Sequence, residues 1–172
     1  MTRTVLNAIN DQINAELSAS YAYLAMSAYC ELRNFTGSAK WLRLQSEEEH
    51  GHAMKLFDFV LARQGNVELK AMTKPAGDFK SVVHVFEAAL KQEIEVGRQI
   101  DKLYELAFKE KVFAAMAELQ WFLTEQTEEE KTARDIVAKF AMVKDDPASL
   151  LDLDRELGAR PAAAAPPPGP VA

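Results

Sequence analysis

The hydrophobic positions of the chain recur at alternating three- and four-residue spacing along four long stretches. These stretches cover residues 4–33, 38–63, 79–107 and 110–141, and none of them contains an internal proline. Such spacing is typical of amphipathic helices whose apolar sides meet in a bundle. Glycine, proline and asparagine fall in the gaps between the stretches, as expected of turns. The sequence therefore predicts an all-α protein with four long helices, α1 to α4.

The lengths of the connections predict how these helices are arranged. The first and third connections are short, so α1 and α2 should be antiparallel neighbours, and so should α3 and α4. The connection between α2 and α3 has about 15 residues, which can span some 50 Å at ~3.3 Å per residue. A helix of ~26 residues is only about 39 Å long. We therefore predict an up-down-down-up four-helix bundle with one long crossover between the second and third helices.

A short fifth helix, α5, is predicted after the turn at Asp146. Asp146 is a favourable N-cap residue, and Pro147 suits the first helical position. Its apolar side would consist of Leu150, Leu151, Leu153 and Leu157. Residues 1–158 are thus expected to form one domain. Residues 159–172 are rich in alanine and proline and are expected to form a largely disordered tail.

Six polar side chains interrupt the apolar seams near the middle of the long helices. They are Glu16, Glu49, His52, Glu93, Gln126 and Glu129. A buried charge without a partner is energetically costly. Any one of these residues could belong to a solvated helix surface, but all four helices are interrupted at the same level. This coincidence indicates a ligand that carries several positive charges.

The spacing of the polar residues indicates a pair of metal ions. Glu49 and His52 lie three residues apart and share one helix face, as do Gln126 and Glu129. Di-iron bundles use one Glu from each of two helices and a Glu-x-x-His from each of the other two; here Gln-x-x-Glu replaces the second Glu-x-x-His. Carboxylates with one imidazole suit iron, manganese or zinc. A bridging Glu49 would hold two ions ~3.5–4 Å apart, so that two ferrous ions could each pass an electron to one dioxygen.

Composition narrows the remaining possibilities. The chain has 172 residues, of which 48% are hydrophobic, and a formal charge of -6. A chain of this size can bury one substantial hydrophobic core. The negative net charge argues against nucleic acid as the main binding partner and suits a protein that binds cations. Cys30 is the only cysteine and occupies a seam position, which is typical of a small core residue in a reducing compartment. We find no signal peptide or membrane-spanning run, and we expect a cytoplasmic protein.

Four segments of the chain resemble the ferritins, and specifically the haem-free bacterial ferritins, over residues 1–157. The segments read DQINAELSASYAYLAMSAY, SEEEHGHAMKLFDFV, ALKQE and LQWFLTEQTEEE. Only one of the helix seams contains a Glu-x-x-His, formed by Glu49 and His52, and His50 stands where haem-containing bacterioferritins have a ligating methionine, so we expect no haem. The resemblance implies a ferroxidase that oxidises Fe(II) with O2 or H2O2. It also implies storage of ferric mineral in a 24-subunit cage, with the fifth helix along the four-fold axes.

The resemblance also assigns residues to iron. The first iron would be held by Glu16, Glu49 and His52. The second would be held by Glu49, Glu93 and Glu129, with Gln126 adjacent. A third, neighbouring iron would be held by Glu48, Glu125 and Glu128. Glu129 could be shared between the second and the third iron. Tyr23 matches the family's site tyrosine, which could hydrogen-bond a ligand or donate an electron, and Trp121 matches a neighbouring aromatic residue.

Two other functions are compatible with the same residues. A soluble di-iron or di-manganese oxidase, or a peroxide-scavenging bundle, would use the paired site without storing mineral. A purely structural or partner-binding bundle would bind no stoichiometric metal.

Overall fold

The computed structural model describes residues 1–144 and 146–161, which form five helices and no strand. The helices are α1 (Arg3–Glu31), α2 (Thr36–Ala62), α3 (Val82–Lys109), α4 (Phe113–Val143) and α5 (Pro147–Gly158). The predicted all-α class and the fifth helix are confirmed, and the predicted bounds differ by only a few residues. Most of the predicted tail, residues 162–172, lies outside the described residues, so its expected disorder stays a prediction.

Two hydrophobic clusters fill opposite ends of the bundle and reveal the direction of each helix. One cluster combines residues from the C-terminal halves of α1 and α4 with residues from the N-terminal halves of α2 and α3, and it includes the packed rings of Phe86 and Phe140. The other contains the opposite halves, with Ile9 and Ile100. Helices α2 and α3 therefore run parallel to each other and antiparallel to α1 and α4. The predicted up-down-down-up topology is confirmed, and residues 63–81 span the length of the bundle.

Two asparagines of α1 hold the long crossover in place. Asn10 donates to the carbonyl oxygen of Asn66 at 3.0 Å and accepts from the Glu68 amide at 2.8 Å. Asn14 likewise donates to the Glu68 carbonyl and accepts from the Lys70 amide, at 2.8 and 2.7 Å. The two side chains thus satisfy backbone groups of a segment that has no regular structure of its own.

Helix α5 is fixed to the start of α2 by a buried carboxylate. Asp154 accepts hydrogen bonds from the backbone amides of Gly37 and Ser38, at 3.0 and 2.7 Å, and from the Ser38 hydroxyl at 2.7 Å. Phe35, the N-cap residue of α2, provides no side-chain acceptor, so Asp154 caps that helix from a distant part of the chain. A β-carbon at Gly37 would lie 1.8 Å from the Asp154 carbonyl oxygen. The contact therefore requires glycine there.

Candidate metal centre

The polar layer between the two hydrophobic clusters contains all six of the residues that interrupt the seams. Five of the six residues are at most 7% exposed: Glu16, Glu49, His52, Glu93 and Gln126. The Glu129 side chain is 9% exposed. Four helices contribute to the layer, because each places its polar residue about halfway along its length. The apolar clusters above and below the layer shield it from solvent, which strengthens electrostatic interactions within it.

The ligand-competent atoms of this layer form two groups that share one residue. Glu16, Glu49 and His52 offer atoms that all lie within 4.8 Å of one another. Glu49, Glu93 and Glu129 do the same. Because Glu49 belongs to both groups, its carboxylate is placed to bridge two cations. One position would have a histidine ligand, and the other would have carboxylates alone.

Several carboxylate oxygens in this layer lack any hydrogen bond. Buried oxygens without a partner among the described residues are Glu16 Oε2, both oxygens of Glu49, and Glu129 Oε2. Leaving a buried acceptor unsatisfied costs about 1–3 kcal/mol, and more when it is charged. The residues that carry these oxygens are divided between the two groups, and Glu49 belongs to both. A pair of cations would satisfy them together.

Burial also changes the acidity of these carboxyl groups. It raises the pKa of Glu16, although the Gln12 amide opposes the change, and it raises the pKa of Glu93 against the opposing bond from Tyr23. Burial, reinforced by Glu93, places the pKa of Glu49 well above its usual range. Burial and the neighbouring Glu49 raise the pKa of Glu129 to about 10. The metal-free centre therefore retains protons at neutral pH, and cations that bind there must displace them.

Three glutamine amides orient the carboxylates. Gln12 Nε2 donates to Glu16 Oε1 at 2.8 Å, and Gln45 Nε2 donates to Glu129 Oε1 at 2.9 Å. Gln126 Nε2 donates to both the carbonyl oxygen and Oε2 of Glu93, each at 2.9 Å. Gln126 thus lies beside the second group of ligand atoms, and its role at the metal stays a prediction. Gln12 was missed by sequence reasoning, although its position four residues before Glu16 puts both on one helix face.

Tyr23 is fully buried and donates its hydroxyl proton to Glu93 Oε1. Burial, followed by the charge of Glu93, raises the pKa of Tyr23 well above its ordinary value. The phenol therefore remains a proton donor at any physiological pH.

The imidazole of His52 is held by two neighbours. Its ring contacts Trp121 edge-on, with ring centroids 5.3 Å apart, and its Nδ1 lies 3.4 Å from Glu49 Oε2. These contacts orient the imidazole.

The three carboxylates expected at a third iron lie around one cavity beside the buried layer. Glu48, Glu125 and Glu128 line this cavity of about 140 Å³, together with Glu129. Glu125 also offers an oxygen within 4.8 Å of atoms of Glu129 and His52. Glu48 and Glu125 are partly buried and Glu128 is exposed. The structure thus brings all three to one site, which is more open than the central layer; their role as ligands stays a prediction.

Arg160 reaches the same cavity and was assigned no role from the sequence. Its guanidinium donates to Glu48 Oε2 at 2.6 Å and to Gln45 Oε1 at 3.0 Å. It also lies over the Trp41 ring, 4.9 Å from the centroid. The sequence offered no signal for this contact, because Arg160 stands at the start of a segment rich in alanine and proline.

The chain is similar to known proteins in both sequence and fold. The ferritin-like domain family matches residues 6–143. The bacterial non-heme ferritin of Staphylococcus aureus (strain USA300) is 36% identical over 160 residues, which is 93% of this chain and 96% of that protein. An open pore ferritin from the hyperthermophilic archaeon Archaeoglobus fulgidus has a TM-score of 0.92 and 41% identity, covering 94% of this chain and 99% of that one. An engineered closed form of the same ferritin has a TM-score of 0.93, with 41% identity and coverage of 95% and 99%.

Proposed function

The chain belongs to the ferritin family, and on that premise we propose that it oxidises Fe(II) at the buried carboxylate centre and stores ferric mineral. The observation that carries this proposal is the position of Glu49. Both of its carboxylate oxygens are buried and unpaired, and the residue contributes a ligand atom to each of the two groups. A carboxylate in that position is suited to bridge two iron ions, which are the substrate of the reaction.

The two iron positions have different ligands and therefore different tasks. Glu16, Glu49 and His52 would bind one Fe(II), and Glu49, Glu93 and Glu129 would bind the other. Each ion would transfer one electron to the oxidant, so a pair reduces O2 or H2O2 by two electrons. The position without histidine is made of carboxylates that hold protons readily, so protonation competes with the metal there. We infer that it releases its product more easily than the first.

The surrounding side chains would keep the centre in a reactive geometry. Tyr23 and Gln126 both donate to Glu93, and Gln12 donates to Glu16. Removing a donor that holds a metal ligand in one orientation commonly lowers metal affinity or activity by about 10–100-fold. The carboxylates lose protons as Fe(II) binds, and those protons must leave the bundle.

We propose that the cavity beside the centre is a third iron position. Glu129 lies on the boundary between the buried layer and this cavity, and its Oε2 is buried and unpaired. Glu48, Glu125 and Glu128 extend the carboxylate series from there toward solvent. An ion could therefore move between the central layer and the exterior of the bundle without losing carboxylate ligands at any step.

Storage requires a shell, and we propose that identical copies of this chain assemble into a 24-subunit cage. Large apolar side chains are exposed on the isolated subunit at both ends of the bundle: Leu32, Phe108, Phe113 and Met142. Contacts between subunits would cover them. We further propose that the cage is cytoplasmic. Among the described residues, we find no helix with enough length and apolar character to cross a membrane.

Aerobic loading tests the proposal directly. Fe(II) is added in large excess over two ions per subunit, and the protein is separated by size-exclusion chromatography with iron detection. We expect the iron to elute with a large protein particle. A small oligomer that saturates at two ions per subunit would instead support a non-storing di-iron oxidase or peroxide scavenger. Protein without stoichiometric iron would indicate a structural bundle.

A further inference from the structure

Arg160 holds a positive charge inside an acidic cavity. The cavity is lined by five carboxylates: Glu48, Glu93, Glu125, Glu128 and Glu129. Among the described residues around it, Arg160 is the only one with a cationic side chain. Its side chain and that of Glu48 are each only 25% exposed. The pair is therefore less screened by solvent than a surface ion pair.

Three contacts fix the guanidinium in this position. It donates to Glu48 and to Gln45, at 2.6 and 3.0 Å, and it lies over the face of Trp41. Gln45 in turn donates to Glu129 at 2.9 Å. Arg160 is thus connected to a carboxylate of the buried layer through a single amide side chain.

The docking of α5 determines that Arg160 can reach the cavity. Asp154 fastens α5 to the first turn of α2, and Arg160 follows two residues after the end of that helix. From there its side chain extends along α2 as far as Glu48. The position of the charge is therefore set by the docking of α5 on α2.

We propose that Arg160 is a built-in competitor of the third iron: its guanidinium occupies the cation position at Glu48 and keeps that site weak. The proposal rests on the proposed function. A guanidinium has only donors, cannot coordinate a metal, and does not lose its proton in proteins. Fe(II) can therefore bind at Glu48 only if the Arg160 side chain moves away or if binding overcomes the repulsion between the guanidinium and the doubly charged ion. Iron would then occupy the cavity in passing and would not accumulate beside the oxidation centre.

Anaerobic calorimetry with Fe(II) as the only added metal, on the assembled protein, tests this proposal. We expect wild type to bind two ions tightly and a third more weakly. In Arg160→Gln, the third dissociation constant should fall roughly tenfold, which corresponds to about 1.4 kcal/mol. Arg160→Lys keeps the charge and should stay close to wild type. Arg155→Gln is the matched control, because Arg155 lies on α5, pairs with Asp152 in solvent and carries the same charge.

The outcomes separate this inference from the function on which it rests. Suppose that wild type binds two ions tightly in the calorimeter and oxidises Fe(II) in the aerobic loading experiment. If the third dissociation constant is then unchanged or higher in Arg160→Gln, the inference is wrong and the proposed function stands. If wild type binds no Fe(II), both are wrong. Thermal unfolding shows whether Arg160→Gln is folded. If it is not, Arg160→Ala replaces it and must strengthen the third site in the same direction.

Discussion

Replacing Glu129 with glutamine should make the metal-free protein less sensitive to pH. Burial and the adjacent Glu49 raise the pKa of Glu129 from 4.5 to about 10 in the folded chain. Between these two values the folded state holds a proton that the unfolded state has released, so the stability of the folded state falls as the pH rises. The neutral amide of glutamine has nearly the same shape and does not titrate.

The expected size of the effect follows from the proton difference. One retained proton changes the free energy of unfolding by about 1.4 kcal/mol per pH unit. Raising the pH from about 5.5 to 7.5 should therefore remove about 2.7 kcal/mol from the metal-free wild type through this group alone. For a chain of this size, that corresponds to a fall in Tm of roughly 5–10 °C. The carboxyl groups of Glu16, Glu49, Glu93 and Glu129 influence one another's pKa values. A titration therefore reports the centre as a whole.

Thermal unfolding of metal-free protein at the two pH values provides the measurement. Wild type should lose stability at the higher pH, and Glu129→Gln should lose markedly less. Glu105→Gln is a suitable control, because Glu105 is exposed, pairs with Lys109, and has a pKa lowered by that pair; it should keep the wild-type pH dependence. If Glu129→Gln retained the full pH dependence, the raised pKa of this carboxyl group would be refuted.

Four further substitutions test the proposed iron ligand His52, the site tyrosine, the cap of α2 and the proposed third iron position. His52→Ala removes a proposed ligand and should slow the initial oxidation of Fe(II), measured by stopped-flow absorbance, by at least about 100-fold. Size-exclusion chromatography should show that this variant still assembles. Tyr23→Phe should slow oxidation by about 10-fold in stopped-flow absorbance, whereas Tyr29→Phe, which removes a buried hydroxyl bonded to a loop carbonyl, should leave the rate unchanged. Asp154→Ala should lower the free energy of unfolding by about 2–3 kcal/mol in denaturant titration, because it removes a charged helix cap; an unchanged value would contradict the capping role. Glu128→Gln should slow turnover after the first two ions more than the initial phase, and collapse of the initial phase in rapid-mixing kinetics would contradict a third site.

The fold could be predicted because its signals are local. The three- and four-residue spacing gave the long helices, and Asp146 caps α5 as predicted, accepting from the Ser149 amide at 2.8 Å. The length of the crossover gave the topology, since only a segment of that reach can connect parallel neighbours. Each of these inferences depends on residues that are close together along the chain.

The contacts that could not be predicted join distant parts of the chain. Asp154 caps a helix that begins more than a hundred residues earlier, and Arg160 contacts Glu48 across a similar separation. Neither residue lies in a pattern that distinguishes it from an ordinary charged surface position. The six seam residues were identifiable for the opposite reason, because a polar side chain in an apolar seam is anomalous without any knowledge of its partners.

Anomalous scattering of iron in crystals soaked with Fe(II) would locate the bound ions. If Glu49 bridges two iron ions, two neighbouring iron peaks should lie within the buried layer, one between Glu16 and His52 and the other between Glu93 and Glu129, with Glu49 contacting both. A weaker third peak would lie near Glu48. Iron found only on the protein surface, or a single ion that does not contact Glu49, would rule out a paired site bridged by Glu49.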